Sequence, residues 1–331
     1  MKEQPMGNKL LLLFGMSRSG TTWLGKILDS HPDVLYLHEP DSEIKIKSVP
    51  LLVTNDNYSQ YRDLICRYCS GILNRCTIRI NGKTPFFNKS YLSSSRYAFF
   101  KFNLVVAKII GRINIILPIW NPFKSGFINN CIFIWKSIES CGRVGLIMDA
   151  LPECKIIYVI RHPCGQIASV IDGEKSGKFL STVSNIDDCC MFESLLNSNY
   201  ARQHNLSIEK IKSMKPIERI AMRWVLYNEQ AIEDIEKASS RAIIVRYEDI
   251  CIDTAKETKK LYEFAGLSWS DQTKKFIEKS TLNASDGYYS VFKNPEISMS
   301  KWKNSLSREE IEIIKKSVSK SKAGALFADC F

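Results

Sequence analysis

Residues 15–22 read Gly15-Met16-Ser17-Arg18-Ser19-Gly20-Thr21-Thr22, directly after a run of five large apolar residues, 10–14. An apolar run that ends at glycine predicts a buried strand entering a tight loop. The segment 21–28, stopped by Ser30-His31-Pro32, predicts a helix straight after it. Gly15 and Gly20 let the backbone turn so that its amides converge on one point. The helix N-terminus adds partial positive charge there, and Thr21 and Thr22 add hydroxyl donors. A strand, loop and helix in this order bind an anion, and they confine the chain to a small set of α/β arrangements.

The glycine spacing is that of the G-x-x-x-x-G-K-[ST] phosphate loop, but Thr21 stands where that loop has lysine. The cation is Arg18, inside the loop. A nucleotide kinase or ATPase built on this loop would therefore lack part of its machinery. A second alternative is a non-catalytic protein that binds a nucleotide or an anionic membrane.

The same alternation continues downstream. Segments 34–37, 131–135, 156–160 and 242–245 read as short strands, and a helix is expected to begin near 167. Pro216 opens a long amphipathic helix, and residues 254–265 form another with Gly266 as its stop. The fold class expected is α/β, a P-loop-type parallel sheet flanked by helices. Residues 45–130 break the rhythm and read as an inserted, mostly helical cap within a single domain spanning 1–331.

With 331 residues and 45% hydrophobic content the chain has ample core and is not disordered. Its eleven cysteines, many in apolar runs, point to a reduced, cytoplasmic protein. The C-x-x-C at Cys66 and Cys69, with Cys76, lacks a fourth ligand nearby, so no metal is expected. The apolar stretch 10–14 is too short for a signal peptide core, and 99–120 carries Lys101, Lys108 and Arg112. A chain that is soluble, or at most peripheral to a membrane, is expected.

Beyond the loop, the sequence resembles the sulfotransferase superfamily, which moves sulfonate from 3′-phosphoadenosine-5′-phosphosulfate (PAPS). Arg18-Ser19-Gly20-Thr21-Thr22-Trp23-Leu24 is similar to the family's P-[KR]-S-G-T-T loop, with Ser17 in place of proline. Residues 29–34 and His38-Glu39-Pro40 look like the carbohydrate and tyrosyl-protein branches. Arg161-His162-Pro163 with Ser169 fits the 3′-phosphate block, Tyr247-Glu248-Asp249 the block near adenine, and 289–295 with 301–306 the closing cofactor loop.

The resemblance implies roles. Ser17, Arg18, Ser19, Gly20, Thr21 and Thr22 would hold the 5′-phosphate, with Arg18 neutralising the leaving group. Arg161 and Ser169 would take the 3′-phosphate, Tyr247 would lie near the adenine, and Ser280 and Lys293 would come from the closing loop. Glu39 would be the base that accepts the acceptor's proton, and Lys136 would stabilise the transition state. His38 is the rival base, although its neighbour on a strand end points the opposite way. No metal is implied.

The net charge of +11 calls for an anionic partner. Residues 83–143 hold nine Lys/Arg and a single acidic residue, Glu139, so most of the surplus lies outside the cofactor blocks. That distribution fits a cap facing an anionic glycan, a glycolipid or a membrane surface through 99–120 better than it fits a nucleic-acid groove. An amphipathic helix with solvated lysines is the plain alternative. The acceptor expected is a hydroxyl, most closely that of a carbohydrate or glycolipid.

Overall fold

The computed structural model describes residues 10–72, 75–111, 119–120, 131–177, 189–282, 291–292 and 294–331. Leu10–Phe14 forms strand β1, and all five of its residues are buried. Burying a side chain of this size contributes roughly 1.5–3 kcal/mol, so an uninterrupted apolar pentapeptide belongs at the centre of a sheet. There it lies, in the order β2-β3-β1-β4-β5, with β2 Val34–His38, β3 Ile132–Ser137, β4 Lys155–Ile160 and β5 Ala242–Arg246. Every pairing is parallel.

Period-two alternation then splits each strand between two cores. Leu10, Leu12 and Phe14 join Leu35, Trp135, Tyr158 and the long helix Pro216–Ala238 on one face. Leu11 and Leu13 join Tyr36, Val159 and helix α1 (Thr21–Asp29) on the other. A sheet covered on both faces needs strands that are apolar throughout, which is how these read.

Topology places the site. The chain passes from β1 to β2, returns to β3 beside β1, then crosses to β4 and β5 on β1's other side. The direction of winding reverses at β1, and the crevice at the carboxyl ends of such strands is where ligands bind. Residues 15–22 leave β1 at that point.

Two strand bounds differ from expectation. Lys136 lies inside β3 rather than after it, because Ser137 still pairs with Phe14. The helix expected near 167 begins at Pro163, immediately behind β4; proline at the first helical position sacrifices no hydrogen bond.

Residues 45–130 divide between two places. Ile46, Val49, Leu52, Ile65, Cys69 and Ile72 are part of the main core, carried partly on the helix Tyr58–Ile72. Leu92, Tyr97, Phe100 and Leu104, mostly on the helix Ser94–Gly111, form a separate small cluster. The second part is fixed to α1 by buried charges: Lys26 and Lys89 both donate to the Asp29 carboxylate. Among the described residues no helix is long and apolar enough to cross a membrane, and no group of three or more His, Cys, Asp or Glu side chains could hold a metal ion.

Candidate active site

The phosphate loop is held open by close packing and by left-handed backbone. Gly20 has φ +93°, and a Cβ there would lie 2.2 Å from the Tyr247 ring. At Gly15 a Cβ would meet the Val159 carbonyl at 2.5 Å. Arg18 is itself left-handed, at φ 70°, a conformation costing roughly 1–2 kcal/mol outside glycine. Side chains from beyond β4 hold it there. Arg161 Nη1 donates to the Arg18 carbonyl at 2.9 Å, and Gln166 Nε2 donates to the Ser17 carbonyl at 2.9 Å. Arg18 Nε donates to Ser169 Oγ at 2.9 Å, so the loop cation and the 161–169 block form one unit.

Strand β2 contributes the carboxylate. Its ladder with β3 extends one residue past the strand, through Glu39 N donating to the Lys136 carbonyl at 2.9 Å. Glu39 then turns left-handed, at φ 47°, and Pro40 opens a short helix to Glu43. That turn breaks the strand's alternation. His38 and Glu39 therefore both line the cleft, which corrects the expectation that they point opposite ways. His38 Nδ1 lies 2.9 Å from the Tyr36 hydroxyl, and its Nε2 lies 3.8 Å from Glu39 Oε1.

Lys136, 1% exposed, donates to Glu39 Oε1. Burial, the largest influence, pushes the Glu39 carboxyl up, but Lys136, His38 and Lys83 together outweigh it and hold the group below the ordinary carboxylate range. Burial, then Lys136, holds the His38 imidazole down to about 3. At neutral pH the pair is thus an ionised glutamate beside a neutral, weakly basic histidine. Of these two cleft-lining groups, only Glu39 carries a negative charge.

A carboxylate behind them fixes the geometry. Asp41, 1% exposed, accepts hydrogen bonds from Trp135 Nε1 at 3.3 Å, from Ser137 Oγ, and from Ser140 Oγ at 2.6 Å. Trp135 and Ser137 flank Lys136, so Asp41 locks the end of β3 against the turn that carries Glu39.

These elements enclose a cleft of about 380 Å³ at the carboxyl edge of the sheet. Ser17, Arg18, Gly20, Thr21, Thr22, Glu39, Lys136, Arg161, Ser169 and Tyr247 all line it. Ser19 lies just behind, fully buried, with its Oγ unpartnered among the described residues. Ser280 does not join them. It is fully buried, accepts from Trp23 Nε1 at 3.3 Å and donates to the Ile277 carbonyl at 3.1 Å, so it positions a cleft residue from behind. Lys293 lies outside the described residues.

Several lining residues were not singled out from sequence. Trp23 sits edge-on to Tyr247 at 6.2 Å, and Arg161 stacks on the Tyr247 ring at 4.7 Å. Lys301 pairs with Asp172 at 3.0 Å, and Trp302 stacks flat on His162. Lys301 and Trp302 fall within the 301–306 block, which was signal enough to look there. Lys83, half-buried beside Glu39 and Lys136, has no local motif around it.

Arg18, Lys83, Lys136, Arg161 and Lys301 set five cations in the walls against the carboxylates Glu39 and Asp172. Arg161 Nε is buried with no hydrogen-bond partner among the described residues, like Ser19 Oγ. Orphaned donors in a cationic cleft match a ligand with more than one anionic oxygen group, and the residues present fit a nucleotide with phosphates at two positions.

Over 76 residues the chain is 32% identical to human "Carbohydrate sulfotransferase 3", a stretch covering 22% of this chain and 16% of that relative's length. Mouse sulfotransferase SULT7A1 complexed with PAP aligns over 97% of this chain and 88% of its own, at 14% identity and TM-score 0.46. A Mycobacterium avium sulfotransferase, STF9, aligns over 98% and 77%, at 13% identity and TM-score 0.44. The sequence model described as Sulfotransferase family matches residues 11–271, which takes in the phosphate loop and all five strands except the first residue of β1. The chain belongs to the Sulfotransferase family.

Proposed function

We propose that the chain transfers a sulfonate group from PAPS to an acceptor hydroxyl, with a carbohydrate or glycolipid as acceptor. One observation carries the reading: the phosphate loop and the Glu39–Lys136 pair open into the same cleft, at the carboxyl ends of adjoining strands. The family assignment supports the reaction class. The short match to human "Carbohydrate sulfotransferase 3" supports the choice of acceptor.

Under this reading PAPS supplies a sulfonate on a phosphate leaving group. The loop 17–22 and Arg18 hold the 5′-phosphate and neutralise the charge that grows on it. A well-placed donor of this kind lowers a barrier by roughly 3–4 kcal/mol. Arg161 and Ser169 hold the 3′-phosphate, with Arg161 kept flat by Tyr247. The Glu39 carboxylate accepts the proton of the acceptor hydroxyl as its oxygen attacks the sulfur and the bond to the leaving phosphate breaks. Lys136, already donating to Glu39, is placed to follow the negative charge as the carboxylate is neutralised. Lys83 comes from residues 45–130, which in this reading cap the acceptor side. Eleven free cysteines fit a reducing compartment such as the cytoplasm.

Two measurements test the reading. Saturating 3′,5′-adenosine bisphosphate should raise the melting temperature where ADP with Mg²⁺ does not, since a ligand at 100 times its Kd adds about 2.7 kcal/mol. Stabilisation by ADP–Mg²⁺ alone removes PAPS from the mechanism. E39Q should bind the bisphosphate normally yet lose about 10²–10⁴ in transfer rate, the usual contribution of a positioned base. A fully active E39Q takes Glu39 out of the proton transfer.

A further inference from the structure

Acidic residues are absent from 64–138, between Asp63 and Glu139, while eleven lysines and arginines fall in that stretch. The chain's whole net charge is +11. The remainder of the protein is therefore balanced, and the entire surplus belongs to one continuous segment.

That segment contains the helix Ser94–Gly111. Its inward face is apolar: Tyr97, Phe100, Leu104 and Ala107 are buried. Its outward face is apolar as well, with Phe99 55%, Phe102 65%, Val105 46% and Ile109 59% exposed. At 100° per residue these four fall within about 120° of one another, opposite the buried face. Trp120, 40% exposed, lies edge-on to Phe99 at 5.5 Å and extends the apolar surface. A helix apolar on both faces is ordinarily buried on both. Lys101 lies beside one margin of the outward stripe and the exposed Arg96 beyond the other, where basic residues border a helix lying in a lipid interface.

We infer that the outward face of the helix Ser94–Gly111 docks on an anionic phospholipid surface, with Phe99, Phe102, Val105 and Ile109 in the acyl boundary and Arg96 and Lys101 toward the headgroups. The lipid identity follows from the combination. Exposed aromatic and aliphatic side chains suit an acyl phase, and a border of Arg96 and Lys101, in a sequence segment without an acidic residue, suits phosphate headgroups. The helix is also coupled to the cleft. Lys108 donates to the Gly82 carbonyl, and the next residue, Lys83, lines the cleft beside Glu39. A docked helix therefore carries the acceptor side of the cleft toward the bilayer, where the hydroxyls of membrane-anchored glycans lie.

The test is co-sedimentation of the full chain with vesicles of pure phosphatidylcholine and of phosphatidylcholine with 30 mol% phosphatidylserine (a composition on the order of an inner leaflet). Binding should need the anionic lipid and weaken in about 0.5 M salt. The variant F102S/I109S should bind at least about tenfold more weakly while melting like the parent, since both side chains are exposed. K101E should lower binding to the anionic vesicles alone. Three outcomes overturn the inference: equal binding by F102S/I109S, binding indifferent to phosphatidylserine, or a concentration-dependent dimer of the parent that F102S/I109S abolishes, which would make the face a contact between two copies. None of these readouts depends on sulfonate transfer.

Discussion

Replacing Asp29 by alanine should destabilise the protein far more than deleting the whole charged cluster around it. Asp29 accepts from Lys26 and Lys89; the Lys26, Asp29 and Lys89 side chains are 1%, 11% and 7% exposed. At 2.8 Å and an effective dielectric constant of about 20, the Lys89–Asp29 attraction alone is about 6 kcal/mol. Desolvation costs several kcal/mol for each of the three ions, so the intact cluster comes out near neutral. D29A removes both attractions and leaves two buried ammonium groups facing each other. That costs about 3–5 kcal/mol, or about 4–7 °C in melting temperature for a chain of this length. The triple variant K26M/D29L/K89M removes the charges together and should regain most of the loss. Lys26 also donates to the Lys83 carbonyl at 3.0 Å, so D29A should weaken use of the acceptor more than binding of 3′,5′-adenosine bisphosphate. The assay is the urea midpoint at pH 7 for the parent and both variants. Loss of under about 1 kcal/mol in D29A, or a triple variant as unstable as D29A, would refute the reasoning. The sign with pH is also fixed. Burial raises the Asp29 carboxyl, but Lys26 and Lys89 outweigh it and hold the group below its ordinary value. Its contribution is complete above the ordinary aspartate range and fades as pH falls through and below it.

Two further outcomes follow from single sites. G20A must adopt φ +93° and place a methyl group 2.2 Å from the Tyr247 ring, so it should lower bisphosphate affinity by at least about tenfold, whereas G177A, also left-handed but with open space around it, should cost only about 1–2 kcal/mol of stability; titration calorimetry and melting separate the two, and equal affinity in G20A would show that the loop has another route. His162 is held down to about 4 by burial and by Arg161, Arg246 and Lys303. The unfolded chain thus binds a proton first, and stability should fall by up to about 3 kcal/mol as pH drops from about 6.5 through about 4. H162Q should flatten that decline in a series of urea midpoints, and an unchanged slope would assign it to other groups.

The parts of this protein that were legible in its sequence are those whose causes are local. β1 needed only five apolar residues and a glycine, and its inner place fits because a strand buried along its whole length needs cover on both faces and a neighbour on each edge. The Arg161–Ser169 spacing carries over because the seven helical residues 163–169 set the distance between a strand end and the second turn behind it. Lys83 was illegible for the opposite reason. Its place beside Glu39 depends on the carbonyl it offers to Lys26, and so on a buried ion cluster linking residues 26, 29 and 89. Asp41 was missed because its three partners, Trp135, Ser137 and Ser140, lie roughly a hundred positions away.

His38 and Glu39 show where a correct local rule stops applying. Alternation along a strand puts neighbours on opposite faces only while the backbone stays extended. Glu39 keeps one ladder hydrogen bond to Lys136 and then leaves the extended region, at φ 47°. A left-handed conformation in a residue other than glycine persists only where its surroundings over-determine it. Here they are identifiable: the ammonium of Lys136 holds the side chain, Pro40 fixes the next residue's backbone, and Asp41 clamps the strand that carries Lys136. Arg18, the other left-handed side chain in the cleft, is held in the same manner through its carbonyl by Arg161 and through its guanidinium by Ser169. The two strained positions are thus the two that the proposed reaction uses for opposite tasks, one accepting a proton and one neutralising the leaving group. Each is braced from a neighbouring strand end, so the cleft's geometry is set by the sheet before any ligand arrives.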